Sequence, residues 1–167
     1  MRSAFIISLL IFGSITSCVS EKEEGPIVSD ATLFNLAQNV SSFTYYKNKT
    51  DTLVADQSSP HRPFVRIRFN PKATSVMNDS ADNLLSASFP DESMIVKEIF
   101  NQKGGSLVSY AIMYKLRNAA NNGEEWIWSE VSSDGNVITP AEFKGDQCVG
   151  CHLSGINSDL VKTFGLH

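Results

Sequence analysis

Cys148-Val149-Gly150-Cys151-His152 is the stretch of this chain whose residue types and spacing carry chemistry. Two thiols three residues apart, with an imidazole directly after the second, suit covalent attachment of a c-type haem. The sulfurs form thioethers to the two vinyl groups, and His152 becomes an axial ligand of the iron. A structural disulfide, a thioredoxin-type redox pair and half of a zinc site are the competing readings. Zinc needs a fourth donor, and the other histidines, His61 and His167, stand isolated in the sequence. A redox pair is expected to follow a strand and open a helix, whereas this motif sits near the C-terminus after Gly145. Covalent haem c, one per chain, is therefore the expected cofactor.

The N-terminus reads as an address. Arg2 supplies a positive end, Ala4 to Phe12 an apolar run too short for the roughly 20 residues of a membrane span, and Gly13 to Cys18 a small-residue exit. Residues 1–17 are read as a signal peptide. Ile15-Thr16-Ser17-Cys18 looks like a bacterial lipobox, which makes Cys18 the lipidated first residue of the mature chain. An ordinary secretory signal with an incidental cysteine is the alternative. Once Cys148 and Cys151 hold haem, Cys18 is an odd thiol, and acylation gives it a use. Residues 18–28 then form a solvated tether, and 29–167 a single domain in the bacterial cell envelope, facing the periplasm or exterior. The 167 residues have room for one core, and a net charge of −4 with no basic run argues against nucleic acid as a partner.

The elements that must position the motif follow from periodicity. Leu33, Leu36, Ala37 and Val40 recur at helical spacing behind Asp30, which predicts a helix over 31–40 capped by Asp30. Val65, Ile67 and Phe69 alternate with Phe64, Arg66 and Arg68 as a half-buried strand. Asn70-Pro71 opens a second helix, whose face is drawn from Val76, Met77, Ala81, Leu84 and Leu85. Strands follow over 93–100, 106–116, 126–131 and 136–139, with Lys103-Gly104-Gly105 and Ser133-Asp134-Gly135 as turns. Ser158 is placed to cap a last helix over 159–164. The expected fold class is α+β: one antiparallel, sheet-rich domain with flanking helices and a C-terminal haem c segment.

Phe89-Pro90-Asp91, Ile95-Val96-Lys97-Glu98, Met113-Tyr114-Lys115, Glu125-Trp126-Ile127-Trp128, the haem motif, and Asn157-Ser158-Asp159 with Thr163 together resemble the cytochrome P-460 family. The order and spacing match over Arg62 to Leu166. The resemblance implies a compact homodimer with one haem c, axial His152, and a distal side open to small nitrogen ligands. Some members resemble hydroxylamine-oxidising enzymes with a lysine bonded to the haem edge. Others resemble cytochrome c prime beta, which binds gases beneath aromatic side chains.

Lys97 is the lysine carried over as candidate cross-link, with Lys115 and Lys72 as alternative positions, and its plain alternative is a solvated strand lysine. Phe64 and Phe89 are candidates for the aromatic cap, or simply core. Arg66 and Arg68 are candidates to pair with a haem propionate, against an exposed polar face. Met77, Met94 and Met113 are possible sixth ligands or core filling. The expected roof is Phe64, Phe89, Ile95 and Ile99, with no histidine in it. Two function classes follow. One is an open haem site for hydroxylamine oxidation or nitric oxide binding. The other is an electron-transfer cytochrome with both axial positions filled, served by a redox partner protein. A lipid-anchored binding domain with a disulfide is the third.

Overall fold

The structure is a computed structural model that describes residues 24–86, 88–155 and 157–162. The expected signal peptide, Cys18 and the start of the expected tether lie outside the described residues, as do Thr163 to His167. Among the described residues seven strands form one antiparallel sheet: β1 Thr44–Tyr45, β2 Leu53–Val54, β3 Phe64–Phe69, β4 Met94–Phe100, β5 Leu107–Lys115, β6 Trp126–Ser132 and β7 Val137–Thr139. The order is β1-β3-β4-β5-β6-β7, with β2 also pairing β3. With few helices beside it, this sheet is consistent with the α+β class. Among the described residues no helix is long and apolar enough to cross a membrane.

The sheet is buried on both faces, and alternation assigns each residue to one of them. Facing residues across the ladder run Ile67↔Lys97↔Ala111↔Glu130 and Phe69↔Ile95↔Met113↔Trp128. This face packs under the loops before β3 and after it and under the C-terminal segment, in a core that includes Tyr46, Phe89, Trp126 and Val161. The opposite face carries Val96, Ile112, Ile127 and Val131 beneath helix α1, Asp30–Gln38, which contributes Leu33 and Ala37. Burial on both faces is why the central strands read as nearly continuous apolar runs.

Several expected boundaries move. Ser29, not Asp30, caps α1, accepting from the Thr32 amide at 3.2 Å. The Asp30 carboxylate instead reaches Ser129 Oγ at 2.5 Å and the Ala141 amide at 2.9 Å, tying the helix to β6 and to the segment after β7. The helix after Asn70 is short: α2 covers Pro71–Thr74 and gives way to turns stabilised by a Met77↔Leu84 bridge. Asn78 Oδ1 accepts from the amides of Asp82 and Asn83, a local competition that dissolves helical spacing into a loop. The expected helix from Asp159 is absent over the described residues, because Asp159 and Leu160 are left-handed (φ 51° and 66°) and Ser158 bridges Val161. The fixed chain also starts earlier than Ser29. Pro26 accepts from the Ala120 amide at 3.0 Å, and Val28 exchanges hydrogen bonds with Asn121.

Candidate functional site

The motif follows a 3-10 turn, Ala141–Phe143, and a tight turn at Gly145. Gly145 has φ +76°, and a Cβ there would sit 2.3 Å from Trp128 Cδ1, so conformation and space both demand glycine. Its carbonyl accepts from the amides of Cys148 at 2.7 Å and Val149 at 2.8 Å. The chain then enters helix α3, Val149–Leu153, with Cys148 at its N-cap. The motif thus does open a helix, contrary to one argument made against a redox pair, but a helix of only five residues. Both thiols are free, Cys148 half-buried and Cys151 exposed. Burial, then Glu130 and Cys151, push the Cys148 thiol up, the reverse of the thiolate stabilisation that an attacking redox cysteine needs.

His152 is held on two sides. Its ring meets Trp128 edge-on, centroids 4.8 Å apart at 71°. Its Nδ1 lies 2.6 Å from the Leu160 carbonyl oxygen. A carbonyl only accepts, so Nδ1 carries the hydrogen, and in the neutral ring Nε2 keeps its lone pair. Burial is the main reason its pKa falls to about 4; the bond to Leu160 works the other way, and Lys97 and Lys162 add to the fall.

A cavity of about 210 Å³ opens beside the motif, walled by Cys148, Cys151 and His152 together with Lys97, Met113 and His61. Lys97 extends from the middle of β4 into this space, and burial lowers its pKa to about 8, with Cys151 opposing and Lys162 assisting. His61 comes from the loop before β3, where Ser59 Oγ accepts from its amide at 3.2 Å. Burial, then Lys97 and His152, bring its pKa to about 3, so the ring is neutral at pH 7. In the sequence His61 stands isolated from the motif. Loop closure brings it to the motif, and no periodic pattern announces that. Lys162 is a second omission: it lines the cavity, and its Nζ reaches the Cys151 carbonyl at 2.9 Å.

Other candidates lie elsewhere. Phe64, Arg66 and Arg68 occupy the helix-covered face, opposite Lys97, as the register Arg66↔Glu98 and Arg68↔Val96 requires. The carboxylate the two arginines serve is Glu98, bonded to Arg66 and 3.1 Å from Arg68. Phe89 is fully buried against Trp126, ring centroids 5.6 Å apart, and does not line the cavity. Of the expected roof residues Phe64, Phe89, Ile95 and Ile99, Ile95 alone lines the cavity, and His61 lines it too. Lys115 is fully buried between Glu125 and Asp159, and Lys72 sits on the surface near Glu92, and neither lines the cavity. Met94 belongs to the helix-side core and Met77 to the core under the loops, leaving Met113 as the methionine at the cavity.

Among the described residues no three His, Cys, Asp or Glu side chains converge as a metal-ligand set. The donor set fits a c-type haem instead: two free thiols, a histidine whose second nitrogen is already hydrogen-bonded, and an adjoining cavity. No protein-family model matches the chain, and no curated protein matches it.

Proposed function

We propose that this chain is an exported monohaem c-type cytochrome of the cytochrome P-460 kind, in which the cavity walled by Cys148, Cys151, His152 and Lys97 would receive the haem and leave its open side to small nitrogen ligands. The observation that carries the reading is the meeting of Lys97 and His61 with Cys148, Cys151 and His152 around one cavity. Cys148 and Cys151 would hold the haem through thioethers, each S–H adding across a vinyl group without net oxidation. His152 would ligate iron through Nε2, its ring fixed by Trp128 and Leu160. The haem supplies a redox-active iron with a sixth position for hydroxylamine or nitric oxide. The chain's own part is to orient and to exclude water. Ile95, Ala111 and Met113 give that space apolar walls, while Lys97 Nζ and the neutral His61 ring bring polar atoms to it.

His61 and Met113 also support a second reading, in which one of them fills the sixth position and the protein transfers electrons to a redox partner. In both readings Cys18 anchors the domain to the membrane by lipid, and two copies form a homodimer.

Protein matured in a host with haem-attachment machinery separates these readings. Haem that acidified solvent cannot extract, with a high-spin reduced spectrum that shifts on adding nitric oxide, is the expected result. A low-spin, six-coordinate spectrum indifferent to nitric oxide moves the assignment to electron transfer. Wild type without any iron porphyrin refutes both.

A further inference from the structure

Beyond the motif, the segment Ser158 to Val161 carries Leu160 and Val161 into the core under the loops through a turn of unusual backbone. Asp159 and Leu160 are consecutive non-glycine residues in the left-handed region, at φ 51° and 66°. Aspartate tolerates that conformation; leucine rarely adopts it. Something must hold the pair there, and the Asp159 carboxylate has the contacts to do so. Oδ1 lies 2.8 Å from Lys115 Nζ, and Oδ2 accepts from the Phe89 amide at 2.8 Å and approaches Ser88 Oγ at 3.5 Å. The Lys115 side chain is fully buried and lies over Trp126, 5.0 Å from the ring centroid. Glu125 also contacts it at 2.9 Å but is 54% exposed, whereas Asp159 is 14% exposed, so Asp159 is the better-shielded counterion. The Ser158↔Val161 bridge closes the turn with bonds of 3.1 and 2.9 Å. Its left-handed backbone is what presents the Leu160 carbonyl to His152 Nδ1 at 2.6 Å.

We propose that Asp159, anchored by Lys115, is a positioning residue for His152, acting through the Leu160 carbonyl to fix the ring and set its basicity toward iron. The proposal rests on the haem reading. A hydrogen bond from Nδ1 to a carbonyl gives the imidazole more anionic character, which favours ferric over ferrous iron. The ion pair on the far side of the turn would thus tune the haem without touching it.

The test uses full-length, haem-loaded protein: wild type, Asp159→Asn, and the double variant Lys115→Met with Asp159→Asn. Asparagine keeps an oxygen for the Phe89 amide and tolerates left-handed backbone, so it loosens the turn least. The double variant removes both charges and leaves no buried lysine unpaired. Reduction potential by spectroelectrochemistry and the ferrous iron–histidine stretch by resonance Raman are the readouts. The expected result is a rise in potential and a fall in stretching frequency, small in Asp159→Asn and larger in the double variant. Haem-loaded variants with wild-type potential and stretch overturn the proposal while leaving the haem reading intact. Failure of Asp159→Asn to load haem also overturns it, because a residue needed for maturation as a whole is not a tuning residue. Wild type that carries no covalent haem instead removes the reading beneath it.

Discussion

The imidazole of His152 stands edge-on to the indole of Trp128, with ring centroids 4.8 Å apart. Trp128 is itself pinned, its Nε1 donating to the Gly123 carbonyl at 2.9 Å, and Gly145 lies directly on its ring edge. Gly145→Ala therefore costs twice, through a left-handed backbone and through overlap with a buried tryptophan. The expected loss is about 2–4 kcal/mol by urea denaturation. Covalent haem yield should fall with it, because the Gly145 carbonyl organises the amides of Cys148 and Val149. A variant as stable as wild type and equally loaded contradicts this role.

His61 gives the stability of the protein a definite slope in acid. Its pKa is about 3 in the fold against an ordinary 6.5, mainly from burial, so the unfolded chain binds a proton that the folded chain refuses. Stability contributed by the neutral ring is complete above pH 6.5 and declines as pH falls from there toward 3. Wild type should lose about 1 kcal/mol per pH unit across that window relative to His61→Gln. Parallel stability curves for the two proteins would show that the ring is not held neutral.

Lys97 decides which branch of the proposed function applies. If its nitrogen is bonded to the porphyrin edge, Lys97→Leu changes both the absorption spectrum and the mass of the haem peptide, and abolishes hydroxylamine oxidation. If the amine is free, the substitution leaves the haem peptide mass untouched and nitric oxide binding persists. Digestion followed by mass spectrometry, beside spectra of both proteins, reads this directly. The partly neutral amine expected from a pKa of about 8 suits either role.

Cys18→Ser should release the domain from the membrane fraction into the soluble fraction without altering its spectrum. One acyl chain anchors only marginally, and bacterial lipoproteins carry more than one, so the wild type should stay with membranes through a high-salt wash. Wild-type protein recovered wholly soluble and unacylated would refute the anchor.

The sheet was legible because its strands are long and locally consistent. Alternation in Phe64 to Phe69 and the apolar runs around Lys97 and Met113 leave little choice of structure, and Asp134-Gly135 marks its own turn. Helical spacing in Val76 to Leu85 misled, because Asn78 offers the backbone hydrogen bonds that a helix would otherwise supply. Asp159 misled similarly: its carboxylate is spent on Lys115 and Phe89, partners far away in the chain.

The sequence by itself determined the motif, its order of donors and the face on which Lys97 projects, since thiol spacing and strand parity are local properties. It could not say which sheet face the motif packs against. That choice depends on how the loop before β3 and the segment after α3 close over the sheet, and it is made by burial summed across both. Tertiary structure alone sent Phe64, Arg66 and Arg68 to the helix side, where Glu98 neutralises the two arginines. The same closure brought His61 to the cavity and set the Leu160 carbonyl on His152. Contacts between such distant positions leave no periodic trace in one chain, so only the folded protein could disclose them.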